Sequence, residues 1–557
     1  MAVLPRSITG LFMMSDATNA DLADALLRPE VYPWRPESVE RIETHISWVF
    51  LAGDRVVKVK RPVAYPFVDH TTLARRHQSC LDEVRLNRRL TEGVYLGVVP
   101  IVRDGGGFRV VGDEPVSPDA VIEWATLMRR LPAAGMLDAL LAAESAPADL
   151  AARLAARLIP FHRAAAPPCA GEAAEVAAAM IAIVTDNLDE LRPFAGSPLG
   201  ACQLRLVSEA MRRFIASNGD LLRSRVVDGW IREGHGDLRT EHVCLEPAGR
   251  LQIFDCVEFN LAVRCADVAS DLVYLLMDLS QRGAGDAAVA LLAAYRAAGF
   301  ILPDDLLRFY GGHRALVRVK IACLALTGED AAHDAALTAT AITYLTMATA
   351  AALTAHPALI VMTGLSGTGK STVAAALGHA LGIPVIATDA LRKELAGGDD
   401  LATDRWGEGR YAPERKAAVY RALFARGGEA LAAGKAVILD GAFLEDAWRE
   451  EAARLAAAHG VPLLLVETVC DEAVVTDRLA AREQNAGSLS DATRDTWRHQ
   501  RAALAAHPPA VPVNAGLVQV DTTSAVDLDP VVAALDRAGV LAATIPASDW
   551  LRRLRGR

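Results

Sequence analysis

The chain has 557 residues, 52% of them hydrophobic and 23% charged, with a formal net charge of −10. At roughly 100–200 residues per domain, that length exceeds a single core and calls for two to four domains. The acidic balance argues against a broad nucleic-acid footprint, and eight cysteines without a C-x-x-C pair argue against a zinc knuckle or a disulfide framework.

In chain order, strand-like runs at residues 46–51, 56–59, 98–102, 108–111 and 121–124 surround one helical stretch at 72–90. Residues 137–230 carry apolar positions at three- and four-residue spacing and read as helices. A β-like patch follows at 243–245 and 251–255, then more helix to about residue 353. A small β-rich part ahead of a larger helical part predicts an α+β domain over residues 1–345. Residues 335–369 hold no Asp, Glu, Lys or Arg, but this stretch is Ala/Thr-rich and interrupted by His356-Pro357. It predicts a core helix and a buried strand, no membrane span, and a cytoplasmic protein.

After His356-Pro357 the pattern alternates. Strands are expected at 359–363, 385–387, 436–439, 462–466 and 518–520, and helices at 371–381, 415–433, 445–459 and 471–483. This predicts a second, α/β domain over 356–545, a parallel sheet covered by helices, followed by a basic solvated tail at 546–557.

Two constellations carry chemistry. In the first half, His235-Gly-Asp-Leu-Arg-Thr-Glu-His242 precedes a β-like run ending at Asp255, 18 residues after Asp237. Protein-kinase-like enzymes place a base Asp on a catalytic loop and a metal-binding Asp after the next hairpin. They also need a strand Lys paired to a helix Glu. Lys58 and Lys60 alternate on one strand and point the same way. Lys58 is preferred because Val56, two residues before it, is apolar and can lie against adenine. Glu83 in the following helix is its expected partner, with an apolar hinge at 122–127.

In the second half, Gly-Leu-Ser-Gly-Thr-Gly-Lys-Ser at 364–371 follows an apolar strand and opens a helix, the context a phosphate-cradling P-loop requires. Gly364, Ser366, Gly367, Thr368, Gly369 and Thr372 belong to that cradle. Lys370 is expected to reach the β/γ-phosphates of ATP and Ser371 to hold Mg²⁺. Asp440 ends a second apolar strand, where a carboxylate positions the metal. Asp389 is a candidate base, with Arg392 and Lys393 one turn later to hold an anionic group. Arg478 and Arg482 lie on one helix face before a Gly/Ser segment at 485–490.

These residues resemble known families. Residues 364–372, Asp389…Arg392-Lys393, Asp440-Gly-Ala-Phe443…Arg449 and Arg478…Arg482 look like the small P-loop kinases of the gluconate kinase, zeta toxin and polynucleotide kinase group, over about 356–540. That implies phosphoryl transfer from ATP to a hydroxyl, with Asp389, Arg392, Arg449 and Arg482 as catalytic candidates. Residues 37–320 resemble the aminoglycoside phosphotransferase and choline-kinase-like family, which implies a protein-kinase-like fold with Asp237 as base and Asp255 as metal ligand. In that resemblance Asp267…Asp271 looks like the helix start that stabilises the catalytic loop. Two positions depart from the family's pattern. His242 stands where the metal-ligating Asn is expected, and Glu43-Thr-His-Ile-Ser47 replaces a Gly-rich loop.

Three readings follow: a bifunctional ATP-dependent phosphotransferase acting on small-molecule hydroxyls, a single P-loop kinase with a kinase-like regulatory or substrate-recruiting domain, and an ATP-dependent switch or toxin-like module. Nucleic acid enters only as a phosphorylation acceptor. The acceptors and the oligomeric state are not encoded in any recognisable pattern.

Overall fold

The computed structural model describes residues 16–65, 68–104, 107–112, 114–167, 173–247, 249–328, 330–395, 413–483, 494–524 and 526–542. Contacts divide the chain into two units, one of residues 1–180 and 220–302, the other of residues 181–219 and 303–556.

In the first unit the helix Asp16–Ala25 precedes a six-stranded antiparallel sheet, in the order Val39–Glu43, Ser47–Ala52, Arg55–Lys60, Val121–Arg129, Tyr95–Asp104, Gly107–Val110. Val57, Val59, Phe50, Ile101 and Ala125 fill its core with little or no exposure. The helix Leu73–Asn87 is capped by Thr72, whose side chain accepts from Arg75 N. The buried face of this helix is polar as well as apolar: Arg76, Cys80, Glu83, Val84 and Asn87 recur at helical spacing. Each charge on it therefore needs a partner. Arg76 meets Glu123 at 2.8 Å, and Glu83 meets the lysines of the neighbouring strand.

The helical part follows, with Val268–Gln281 buried along almost its whole length. At its start Asp267 accepts from Ala269 N and forms a bidentate pair with Arg225, at 2.7 and 2.6 Å, both side chains almost fully buried. A β-rich lobe with two helices, followed by a helical lobe, is the protein-kinase-like fold expected from the sequence. The expected hinge at 122–127 is corrected: those residues lie inside the strand Val121–Arg129, whose backbone is paired on both sides. The strand expected to reach residue 255 ends at Ile253.

The second unit is built on a parallel five-stranded sheet, in the order Val385–Ala387, Val437–Asp440, Leu359–Thr363, Leu463–Val469, Ala515–Asp521. Leu359–Thr363 is buried at every position, as a central parallel strand covered on both faces must be. The helices Ala201–Ser217 and Ala331–Ala352 belong to this unit. Gln203 Nε2 donates to Thr349 Oγ1 at 2.7 Å, and Arg205 pairs with Asp536 at 2.9 Å. Among the described residues Ala331–Ala352 is the one helix long and apolar enough to cross a membrane. Its Ala341, Tyr344, Leu345 and Ala348 are nonetheless buried against protein, as in a core helix.

The Arg225–Asp267 pair gives a stability prediction. Arg225→Met leaves a buried carboxylate without its counter-charge, so urea denaturation should show a loss of about 3–5 kcal/mol in the first unit. A change under about 1 kcal/mol would mean that the pair is solvated.

Candidate active sites

In the first unit, Lys58 and Lys60 share one face of their strand, and Glu83 lies opposite both. Lys58 Nζ is 2.7 Å from Glu83 Oε1 and 2.7 Å from Asp255 Oδ1. Lys60 Nζ is 2.9 Å from Glu83 Oε2 and also pairs with Glu258. Thr126 Oγ1 donates to Glu83 Oε2 at 2.9 Å. The two lysines differ in access: the side chain of Lys58 is 13% exposed and that of Lys60 is fully buried. Lys58 is thus the lysine open to the Asp255 side of the site. The involvement of Lys60 and Glu258 goes beyond the sequence reading, which weighed Lys60 only as a substitute for Lys58.

Asp255 sits at φ +64, a left-handed conformation that costs about 1–3 kcal/mol in general and that Asp tolerates better than most residues. The surrounding backbone holds it there. Phe254 N donates to His242 O, Cys256 N to Asn87 Oδ1, and Val257 N to His235 O. Burial pushes the Asp255 carboxyl up, but the adjacent Lys58 and His242 outweigh it and hold it well below the usual carboxylate range.

Asp237 is placed by its loop. Asp271 accepts from His235 N at 2.6 Å and Gly236 N at 2.9 Å, and His162 Nε2 lies 3.2 Å from the same carboxylate. Arg239 Nε approaches Asp237 Oδ1 at 3.2 Å. His242 lies between the two carboxylates, with Nδ1 3.7 Å from Asp237 Oδ2 and Nε2 3.7 Å from Asp255 Oδ2, and its Nδ1 is also 2.7 Å from the Asp237 backbone carbonyl. Lys58, Glu83, Asp255, His242 and Asp237 therefore come together, although Lys58 and Asp255 are 197 positions apart. In place of a Gly-rich loop, the first two strands are joined by a tight turn in which Ser47 N donates to Thr44 Oγ1 at 2.9 Å.

In the second unit, the P-loop leaves Leu359–Thr363 and enters the helix Lys370–Leu381. Gly369 caps that helix at φ +85. A side chain at Gly367 would meet Val475 Cγ1 at 2.9 Å, so both glycines are sterically required. Lys370 Nζ donates to Leu365 O at 2.7 Å. Thr368 Oγ1 donates to Leu365 O, and Thr522 Oγ1 donates to Thr368 O. Ser366 N donates to Gln500 Oε1 at 2.8 Å. Gln500 and its helix Arg494–Ala506 were not anticipated from the sequence. Ser371 and Thr372 are exposed at the start of the P-loop helix.

Asp440 ends the strand beside the P-loop strand, and Met362 is its register partner. Burial raises its carboxyl, the Ser371 hydrogen bond and Lys370 oppose that shift, and Asp389 adds to it. Asp389, in the helix Thr388–Leu395, accepts from Arg392 Nη1 at 2.6 Å. Lys370, Ser371, Asp389 and Asp440 thus gather at the C-terminal edge of the sheet, where open α/β sheets bind ligands.

Arg449 departs from expectation. It is buried, with Nε donating to Phe443 O at 2.9 Å, Nη2 to Thr363 Oγ1 at 2.9 Å, and Nη1 to Pro509 O at 3.2 Å. Such a guanidinium, with all three nitrogens engaged and the side chain buried, organises backbone, including the end of the P-loop strand. Arg478 donates to Thr522 O at 2.6 Å. The Arg482 side chain, the 485–490 segment and the 546–557 tail lie outside the described residues.

Among the described residues, no three His, Cys, Asp or Glu side chains form a ready-made metal cluster. The residues present fit Mg²⁺ all the same, because it is held by one or two carboxylates together with waters and substrate phosphates.

A family model described as AAA domain (AAA_33) matches residues 359–507, the P-loop kinase part of the second unit. A choline/ethanolamine kinase family protein from Mesorhizobium loti is 17% identical, with 61% of this chain and 95% of that chain covered, at a TM-score of 0.35. A gluconokinase from Sinorhizobium meliloti 1021 is 18% identical, with 36% and 89% covered, at a TM-score of 0.22. With a kinase-type ion-pair network in one unit and a nucleotide-binding P-loop in the other, the chain is a phosphotransferase enzyme. The protein named Uncharacterized protein Rv2004c, from Mycobacterium tuberculosis (strain ATCC 25618 / H37Rv), is 34% identical over 479 residues, 83% of this chain and 89% of that protein. A likeness of that degree over most of both chains establishes kinship, and the chain belongs to the family of Rv2004c.

Proposed function

We propose that this protein is a bifunctional ATP-dependent phosphotransferase, transferring the γ-phosphoryl group to a hydroxyl of a small-molecule acceptor at each of two sites. The observation that carries this reading is the duplication of parts. Each unit brings a lysine and a pair of carboxylates to one place, on unrelated folds.

In the first unit, Lys58 exchanges Asp255 for phosphate oxygens, Glu83 keeps the ammonium aimed, and Asp237 accepts the proton of the acceptor hydroxyl. In the second, the P-loop amides and Lys370 hold the phosphates, and Asp389 accepts the acceptor proton while fixing Arg392 beside it. Asp255 and His242 would hold Mg²⁺ in the first unit, and Ser371 and Asp440 in the second. The ion supplies neutralisation of phosphate charge during transfer.

The test is a pair of variants assayed with γ-labelled ATP against a metabolite extract. Lys370→Ala and Asp237→Asn should each abolish a different labelled product, with losses of about 10²–10⁴-fold for the base variant. If Lys370→Ala removes all labelling and Asp237→Asn none, the first unit is not an enzyme.

His242 favours a second reading, in which the first unit binds nucleotide but serves regulation. An imidazole suits Mg²⁺ less well than an oxygen ligand. His242→Asn should then tighten Mg²⁺-dependent nucleotide binding by the first unit about tenfold. Unchanged affinity would remove His242 from the metal's surroundings.

A further inference from the structure

The first unit contains a second lysine pair that its proposed chemistry does not use. Lys60 and Glu258 are both buried, and they pair with each other; Lys60 also meets Glu83 at 2.9 Å. Glu258 lies three residues after Asp255 on the same loop, and Arg264 Nη1 donates to its backbone oxygen at 2.9 Å. Two elements therefore meet at the two lysines of one strand: the helix through Glu83, and the loop through both Asp255 and Glu258.

The charges show what each pair does. Two lysines face three carboxylates, Glu83, Asp255 and Glu258. Phosphate and metal would draw Lys58 and Asp255 out of this network, since those two groups are the part-exposed ones, at 13% and 41%. Lys60, Glu83 and Glu258 have no exposure that a ligand could use. Without Lys60, the two glutamates would then be buried without a counter-charge, a costly state.

We infer that Lys60 and Glu258 are positioning residues that keep the Glu83 helix and the Asp255 loop in register while Lys58 and Asp255 engage nucleotide and metal. Lys58 acts on ligand and Lys60 stays behind as the fixed cation. This rests on the reading of the first unit as a nucleotide site, and its signature is specific. Losing Lys60 should weaken the coupling between metal and nucleotide, beyond any general loosening of the fold.

The test uses the full chain carrying Lys370→Ala, so that the second unit's P-loop is silenced. ADP and ATP binding are titrated with and without Mg²⁺. Lys60→Met and, separately, the near-isosteric Glu258→Gln should each lower the Mg²⁺-dependent gain in affinity by about tenfold, with metal-free affinity changed less than about twofold. Their combination should lose no more than either alone, as expected for two members of one pair. Thermal unfolding identifies a Lys60→Met protein that fails to fold, in which case Glu258→Gln decides. Equal losses with and without Mg²⁺, or no loss in either variant, overturn the inference. If the Lys370→Ala background shows no nucleotide binding at all, the reading of the first unit as a nucleotide site fails, and this inference with it.

Discussion

The buried carboxylate of Glu83 is the constraint on which the first unit's site depends. A charge with no exposure must be paired or it destabilises the fold. Pairing it with both Lys58 and Lys60 forces the helix Leu73–Asn87 to face the strand Arg55–Lys60 at one register. That register sets where Lys58 points. Asp255 then has a cation to face, which helps to hold its backbone at a positive φ. The loop that carries Asp237 is set separately, by Asp271 gripping the amides of His235 and Gly236. Arg225 and Asp267 anchor the start of the helix that carries Asp271.

The second unit meets the same need by other means. The P-loop cradle there is built chiefly of backbone, and it is shaped by steric exclusion. A Cβ at Gly367 would crowd Val475 and Leu479, and one at Gly369 would crowd Thr522. Asp440 ends one strand and Asp389 lies two residues past the end of its parallel neighbour, so sheet order itself brings the two carboxylates together. Phe443, just beyond Asp440, is held at φ +46 and buried among Tyr420 and Phe424. Each unit thus carries one strained non-glycine residue in the loop that follows its site strand.

Much of this was legible in the sequence, for physical reasons. Strand alternation showed that Lys58 and Lys60 share a face, and the apolar strand before Gly364 identified the P-loop. What the sequence hid depended on long-range partners. Lys60 reads as a spare lysine until Glu258 is placed against it, and a pair 198 positions apart leaves no local signal. Arg449 follows a promising Asp-Gly-Ala-Phe stretch, yet three carbonyls and a threonine hydroxyl surround its guanidinium, and no spacing rule reports burial of that kind. Gln500 is similarly unmarked, since any exposed-looking glutamine in an amphipathic helix has the same pattern. The hinge was misplaced because an apolar run reads alike as a connector lining a nucleotide and as a central strand.

The central claim is that one chain holds two nucleotide sites on two folds. Equilibrium titration of the full-length protein with ATP and Mg²⁺ measures this directly as a stoichiometry. The account predicts two nucleotides bound per chain. A stoichiometry of one, at saturating nucleotide and metal, would contradict it.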